Sequence, residues 1–237
     1  MDLIARIRVP APQTIIDVGC GPGNSTQALA ARFPNARLTG VDNSPAMIAK
    51  ARSDFPQREW ILGDATNFES PRQFDVVFSN AAIQWIPDHA RLMGRMAALA
   101  CAGGALAVQT PMFRDMPIRE AIARTAARPR WRETMSGCDA HFTFHPHGFY
   151  YDQLSHRAAS LDMWETSYIH AMASVPALVE WMRATGLRPY LERLPDAADR
   201  QAFEEDLLEE LGRDYHLQAD GKVLFPFRRL FFIAYFP

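Results

Sequence analysis

Little in this sequence points to a secreted, membrane-spanning or nucleic-acid-binding protein. Its three cysteines (Cys20, Cys101 and Cys138) are odd in number and lack CxxC spacing, which argues against a disulfide framework and against a cysteine zinc site. No apolar run approaches the roughly 20 residues of a membrane helix. The opening MDLIAR has neither the basic start nor the long apolar stretch of a secretory signal, so a reducing cytoplasm is the expected compartment. Neither charge is in surplus: 25 Lys and Arg against 27 Asp and Glu leave a formal net charge of −2. A nucleic-acid binder would show a basic excess or stripe. No internal repeat or low-complexity linker is visible, and no obligate protein partner is indicated.

What is present is the ordinary composition of a folded domain. With 237 residues, 48% hydrophobic and 22% charged, the chain is long enough for one well-buried core with a small appendage. Short apolar or β-branched runs at 14–18, 37–41, 59–62, 74–78 and 105–109 read as strands. Between several of them, residues 25–33, 45–54 and 89–101 have helical spacing. Ser44-Pro45 supplies an N-cap and an N1 proline, and Gly103-Gly104 ends the third helix. Strands alternating with helices mean βαβ units. The expectation is therefore a Rossmann-like, doubly wound, mainly parallel seven-stranded sheet, with helical insertions in the C-terminal half. Residues 1–111 read as the core and 112–222 as a mostly helical cap with a strand near 162–170. Residues 223–237 read as a terminal strand or hairpin returning to the sheet, interrupted by Pro226. An acidic helix near 196–215 reads as a solvated face.

The strongest motif is Asp17-Val18-Gly19-Cys20-Gly21-Pro22-Gly23-Asn24, lying between a strand and a helix. Glycines there permit a tight turn and let a ligand approach bare backbone. Asp42 ends the next strand, about 20 residues further on, where a carboxylate accepts hydrogen bonds from a ribose. A nicotinamide or flavin site prefers GxGxxG. Here the spacing is GxGxG after an acid, and it resembles motif I of the class I S-adenosylmethionine-dependent methyltransferases. That resemblance implies a site for S-adenosylmethionine. Gly19, Gly21, Gly23 and Asn24 would form the loop around the methionine moiety, with Asp17 near its ammonium. Asp42, Asn43 and Met47 would flank the nucleoside, Asp64 and Ala65 would meet the adenine, and Asn80 would stand where methionine and acceptor converge. The bland reading of Asp64 is a helix cap. The fourth strand lacks the Asn/Asp-Pro-Pro-aromatic sequence of enzymes that methylate DNA-base amines, which again disfavours nucleic acid.

Longer strings, DVGCGPGNST (17–26), NAAIQWIPDH (80–89), GALAVQTP (104–111), EWMRATGLRPYL (180–191) and FPFRRLF (225–231), resemble the trans-aconitate 2-methyltransferase family. The resemblance implies esterification of one carboxylate of a small polycarboxylic acid. Arginine suits the remaining carboxylates because its planar fork binds them bidentately. The candidates are Arg188, Arg228 and Arg229, with Tyr190 donating to the same anion and Gln84 and Trp85 lining the reaction chamber. For Trp85, packing against the next helix is the competing reading, and for each arginine a surface ion pair. His141, His145 and His147 could suggest a metal, but His145-Pro146-His147 lacks helical ligand spacing and no fixed carboxylate partner is evident, so no metal is expected. Arg128, Arg130 and Arg132 read as a solvated loop or a basic lid rim.

Members of this family usually carry a further N-terminal segment that helps cover the site. Here the first strand begins near Thr14, so either Met1 is a misplaced start or the chain is a shortened paralogue with a more open site. Two other functions compete: methylation of another carboxylate, such as a malonyl thioester, and non-catalytic binding of S-adenosylmethionine.

Overall fold

A computed structural model describes residues 2–237; Met1, and with it the expectation of a misplaced start, lies outside them. A short helix, α1 (Asp2–Arg6), precedes the alternating half. There β1 (Thr14–Val18), α2 (Asn24–Arg32), β2 (Arg37–Asp42), α3 (Pro45–Asp54), β3 (Glu59–Leu62) and β4 (Phe74–Asn80) follow in turn. A 3-10 turn (Ile83–Trp85) leads into α4 (His89–Leu99) and β5 (Ala100–Pro111). The remainder is α5 (Pro117–Ala126), α6 (His147–Leu154), β6 (Ser160–Met172), α7 (Val175–Arg183), α8 (Arg188–Leu191), α9 (Ala197–Asp214) and β7 (Val223–Tyr235).

The seven strands form one sheet in the order β3-β2-β1-β4-β5-β7-β6. Neighbouring pairs from β3 to β5 are parallel, with Ile16 opposite Thr39 on one side and Val77 on the other. Central parallel strands are covered on both faces and so read as continuous apolar runs. Accordingly Ile15, Ile16, Val76, Val77, Phe78, Leu106 and Val108 are fully buried. The helix starts obey their local signals. The Ser44 hydroxyl accepts from the Met47 N–H at 3.4 Å ahead of Pro45, and the Asp88 carboxylate accepts from the Arg91 N–H at 3.0 Å. Such caps are each worth about 1 kcal/mol.

Several expectations need correction. The third helix ends at Leu99 and the strand is already running at Ala100, so Gly103 (φ +75°) lies within β5. Pro226 does not split the last strand, because its fixed φ is compatible with extended backbone and it removes only one donor. The acidic helix α9 is not simply a solvated face. Phe203, Leu207 and Leu211 are buried, and so is Glu210, whose carboxylate meets Arg124, Arg128 and Arg213 at 2.6–2.9 Å. Arg128 is therefore an ion-paired residue rather than part of a solvated loop or rim, and Trp131 beside it is 3% exposed.

The domain boundaries also differ from the expected ones. One compact unit comprises Met1–Pro111, Thr143–Glu165 and Leu230–Pro237; the other comprises Met112–Phe142 and Thr166–Arg229. Residues 143–165 join the first unit because Tyr150 and Leu154 of α6 are buried there. Tyr150 stacks on Phe232 at 5.1 Å between ring centroids. No helix among the described residues is long and apolar enough to cross a membrane.

Candidate active site

In an open parallel sheet, ligands bind beyond the carboxyl ends of the strands, where neighbouring connections leave in opposite directions. That point lies between β1 and β4, and the glycine loop leaves from it. The N–H groups of Gly19 and Cys20 both donate to the Val41 carbonyl, at 2.8 and 3.0 Å. Gly19, Gly21 and Gly23 all have positive φ (+74°, +54° and +95°), a region side chains rarely occupy. Two of the three are also glycines for packing reasons. A Cβ at Gly19 would lie 2.2 Å from the Ala82 Cβ, and one at Gly23 would lie 2.7 Å from the Trp60 ring. Gly21 is different: a Cβ there meets no atom within 4 Å. Its bare face is open.

The acids expected at this loop are present. Asp17 is fully buried; its Oδ2 accepts from the Thr26 hydroxyl at 2.7 Å, while Oδ1 has no hydrogen-bond partner among the described residues. Burial pushes its pKa up to about 7, against the lowering effect of the Thr26 hydroxyl and with a smaller contribution from the Asp42 charge. Asp42 accepts from the Gly21 N–H through Oδ2 and from the Ser44 N–H through Oδ1, both at 2.9 Å. Each of its oxygens keeps a second lone pair for a ligand hydroxyl. Asn24, Asn43 and Met47 are exposed around this loop. Cys20 is buried against Ile48, Ala51 and Trp60, and burial pushes its thiol pKa up, so it is a packing residue rather than a nucleophile.

Asp64 is exposed and accepts from the Thr66 N–H and hydroxyl at 2.9 and 2.8 Å, with Asn67 on its other oxygen. These bonds to Thr66 hold its pKa below the usual carboxylate range. It caps a turn rather than the helix of the bland reading, and retains acceptor capacity; Ala65 beside it is half-buried.

Beyond β4 the chain turns sharply. Ala81 has φ +54°, an uncommon conformation for a residue with a side chain. Asn80 donates its side-chain N–H to the Ser25 hydroxyl at 3.3 Å, tying the end of β4 to the start of α2. Gln84, 5% exposed, donates Nε2–H to the Ala81 carbonyl at 2.7 Å and leaves Oε1 buried with no partner among the described residues. Trp85 next to it is half-buried. Thr110, at the end of β5, likewise has a buried hydroxyl oxygen without a described partner. Sequence reasoning did not single out Thr110, because a strand-end threonine carries no pattern of its own.

The expected acceptor residues lie in the second unit. Arg188 is 47% exposed at its side chain, approaches Glu192 at 3.9 Å, and lines an open groove of about 660 Å³ with Arg183, Arg200 and Glu204. Tyr190 does not share an anion with it. The Tyr190 ring is buried and its hydroxyl donates to Asp139, itself paired with Arg119 at 2.6 Å. The expectation that Tyr190 contacts an acceptor is therefore corrected: a tyrosine at this helix position faces the unit's own core. Arg228 is half-buried, and its carbonyl accepts from the Met112 N–H at 2.9 Å. Arg229 lies over the Phe227 ring at 4.7 Å and the Tyr168 ring at 5.8 Å, and burial lowers its pKa. A partly desolvated guanidinium framed by aromatic rings is a strong host for a carboxylate.

These residues fit S-adenosylmethionine. A buried acceptor without a partner, an open glycine face and a carboxylate with spare lone pairs match an ammonium, a close backbone approach and a ribose.

A family model described as a methyltransferase domain matches residues 15–104. Among solved structures, the YcgJ protein of Bacillus subtilis superposes with TM-score 0.67 at 16% identity, over 98% of this chain and 95% of that one. The BH2331 protein of Bacillus halodurans gives 0.61 at 14% identity, over 100% and 97%. At such identities they show the fold alone. Much closer in sequence is the trans-aconitate 2-methyltransferase of Variovorax paradoxus, 42% identical over 98% of this chain and 90% of that protein. The enzyme of the same name from Escherichia coli O7:K1 is 39% identical over 99% and 90%. This chain belongs to the trans-aconitate 2-methyltransferase family of S-adenosylmethionine-dependent enzymes.

Proposed function

We propose that this enzyme esterifies one carboxylate of trans-aconitate, or of a closely similar small polycarboxylic acid, by direct in-line methyl transfer. The observation that carries the reading is the 42% identity to a trans-aconitate 2-methyltransferase over 98% of the chain. A carboxylic acid with a pKa near 4 is already ionised at neutral pH, so no general base has to be found among the residues. When bound, S-adenosylmethionine supplies an electrophilic methyl group on a sulfonium. The chain has the remaining tasks, which are to orient the two reactants at about 3–3.5 Å and to keep water away.

In this reading Asp17 holds the ammonium, Gly19, Gly21, Gly23 and Asn24 form the cradle, and Asp42 takes the ribose hydroxyls with Asn43 and Met47 beside it. Asp64 and Ala65 serve the adenine, and Asn80 stands at the junction with the acceptor. Gln84 and Trp85 wall the reaction chamber. Among the arginines, Arg229 is the principal carboxylate host, because a desolvated guanidinium binds an anion more strongly than one screened by water. Arg188 and Arg228 are secondary, and Arg188 is the more exposed.

Incubation with methyl-labelled S-adenosylmethionine and a panel of small di- and tricarboxylates, with products identified by mass spectrometry, tests the proposal. A monomethyl ester of trans-aconitate is expected. Binding of the donor without any ester would mark a non-catalytic binder, and an ester formed only on an acyl thioester would move the acceptor to that class.

A further inference from the structure

The turn that carries Gln84 and Trp85 is held by a buried histidine. His89, the first residue of α4, is 1% exposed. Its Nε2 lies 2.7 Å from the Ile83 carbonyl and its Nδ1 lies 2.8 Å from the Tyr150 hydroxyl. A carbonyl only accepts, so Nε2 carries the proton. Nδ1 is then bare and accepts from Tyr150. Tyr150 is equally buried. The segment that leads into Tyr150 is tied to the same turn, because the Thr143 N–H donates to the Gln84 carbonyl at 2.9 Å. Gln84 in turn fastens the left-handed Ala81 through its side chain. The chain of contacts Tyr150–His89–Ile83 and Thr143–Gln84–Ala81 thus fixes a turn that the backbone alone would not favour.

We propose that His89 is a positioning residue for methyl transfer: as a neutral Nε2–H imidazole oriented by Tyr150, it holds the Ile83 carbonyl and so sets the placement of Gln84 and Trp85. This rests on the reading that these two side chains wall the reaction chamber. Protonation of Nδ1 would remove the acceptor that Tyr150 uses and reverse the bond, with Nδ1–H donating to the hydroxyl oxygen, so the arrangement described belongs to the neutral ring. Burial favours the neutral form and lowers the His89 pKa, and His145 at 5.0 Å between ring centroids acts in the same direction. Asp88, next to it in sequence, opposes this, and Tyr150 faces it from α6.

Two isosteric variants separate positioning from bulk. His89→Gln keeps an N–H near the Nε2 position, whereas His89→Asn keeps only a group near Nδ1 and releases Ile83. For His89→Asn we expect a fall in kcat of about 100-fold, the scale of a misplacement of about 1 Å. Its affinity for S-adenosylmethionine by calorimetry should stay within about 2-fold, and His89→Gln should recover most of the rate. In the wild type, kcat at saturating substrates should fall only on acidification below the ordinary histidine range, because the His89 pKa is lowered, and that limb should be absent in His89→Gln. Amide exchange gives a readout independent of turnover. Exchange at Trp85 and Ile86, whose N–H groups bond to Ala82 and Ile83, should accelerate in His89→Asn and not in His89→Gln. Equal losses in both variants, or unchanged exchange in His89→Asn, would overturn the proposal. Absence of any wild-type ester with the exchange pattern intact would instead overturn only the reading of the chamber.

Discussion

Gly19 and Ala82 touch: a Cβ added at Gly19 would sit 2.2 Å from the Ala82 Cβ. The loop leaving β1 and the turn leaving β4 are therefore in direct contact at the point where the sheet's connections diverge. In the proposed reading, that contact sets the loop that would cradle the donor beside the turn that would face the acceptor.

Substitutions in the glycine loop should separate packing from ligand contact. Gly19→Ala forces a clash and a positive φ together, so we expect loss of about 1–3 kcal/mol of stability in a denaturant melt. Gly21→Ala has open space but the same strained positive φ, so it should lose only about 1 kcal/mol, less than Gly19→Ala. It should nevertheless bind S-adenosylmethionine at least about 10-fold more weakly, because the methyl occupies the face the ligand approaches. A Gly21→Ala protein with unchanged affinity would remove that face from the site.

Asp17 predicts a pH dependence of both folding and binding. Its folded pKa of about 7 lies above the ordinary 3.8, so the folded chain keeps a proton that the unfolded chain releases between those values. This group's contribution to stability is complete below 3.8 and is lost as pH rises to about 7. Asp17→Asn should flatten that decline. An ammonium on Oδ1 favours the ionised form, so affinity for S-adenosylmethionine should rise through pH 7 with release of a proton. Calorimetry in two buffers of different ionisation enthalpy measures that release. Asp17→Asn should abolish it and weaken binding roughly 10- to 100-fold.

The two arginine settings predict a ranking. Arg229→Gln should raise the KM for the acid at least about 10-fold, the scale of a lost charge-assisted hydrogen bond, with donor affinity nearly unchanged. Arg188→Gln should have the smaller effect, because its guanidinium is 47% exposed and near Glu192. Initial rates over a range of acid concentrations decide the order, and the reverse order would move the carboxylate host to the Arg188 groove.

Much of the first half was legible because its signals are local. The boundaries read for β1, α3 and β3 coincide with the observed ones, since alternating strand and helix runs are punctuated there by Ser44-Pro45 and by the glycines. The glycine loop, Asp17 and Asp42 were legible for the same reason. Non-local events were not. Nothing near residue 150 says that Tyr150 will meet His89 and Phe232, so residues 143–165 were assigned to the wrong unit. Likewise the charge of α9 concealed a buried face, because Glu210 is compensated by arginines from α5 and from the loop after it, far away in sequence.

The amino-acid sequence by itself determined the family, the alternating sheet and the loop chemistry, because periodicity, glycine spacing and long shared strings act within a few residues of one another. Only the tertiary structure decided that the Tyr190 hydroxyl is taken by Asp139, that Arg229 rather than Arg188 is the desolvated cation, and that His89 braces the turn after β4. Those outcomes depend on which distant side chains exclude water from a given group, and burial of that kind is a property of the packed whole.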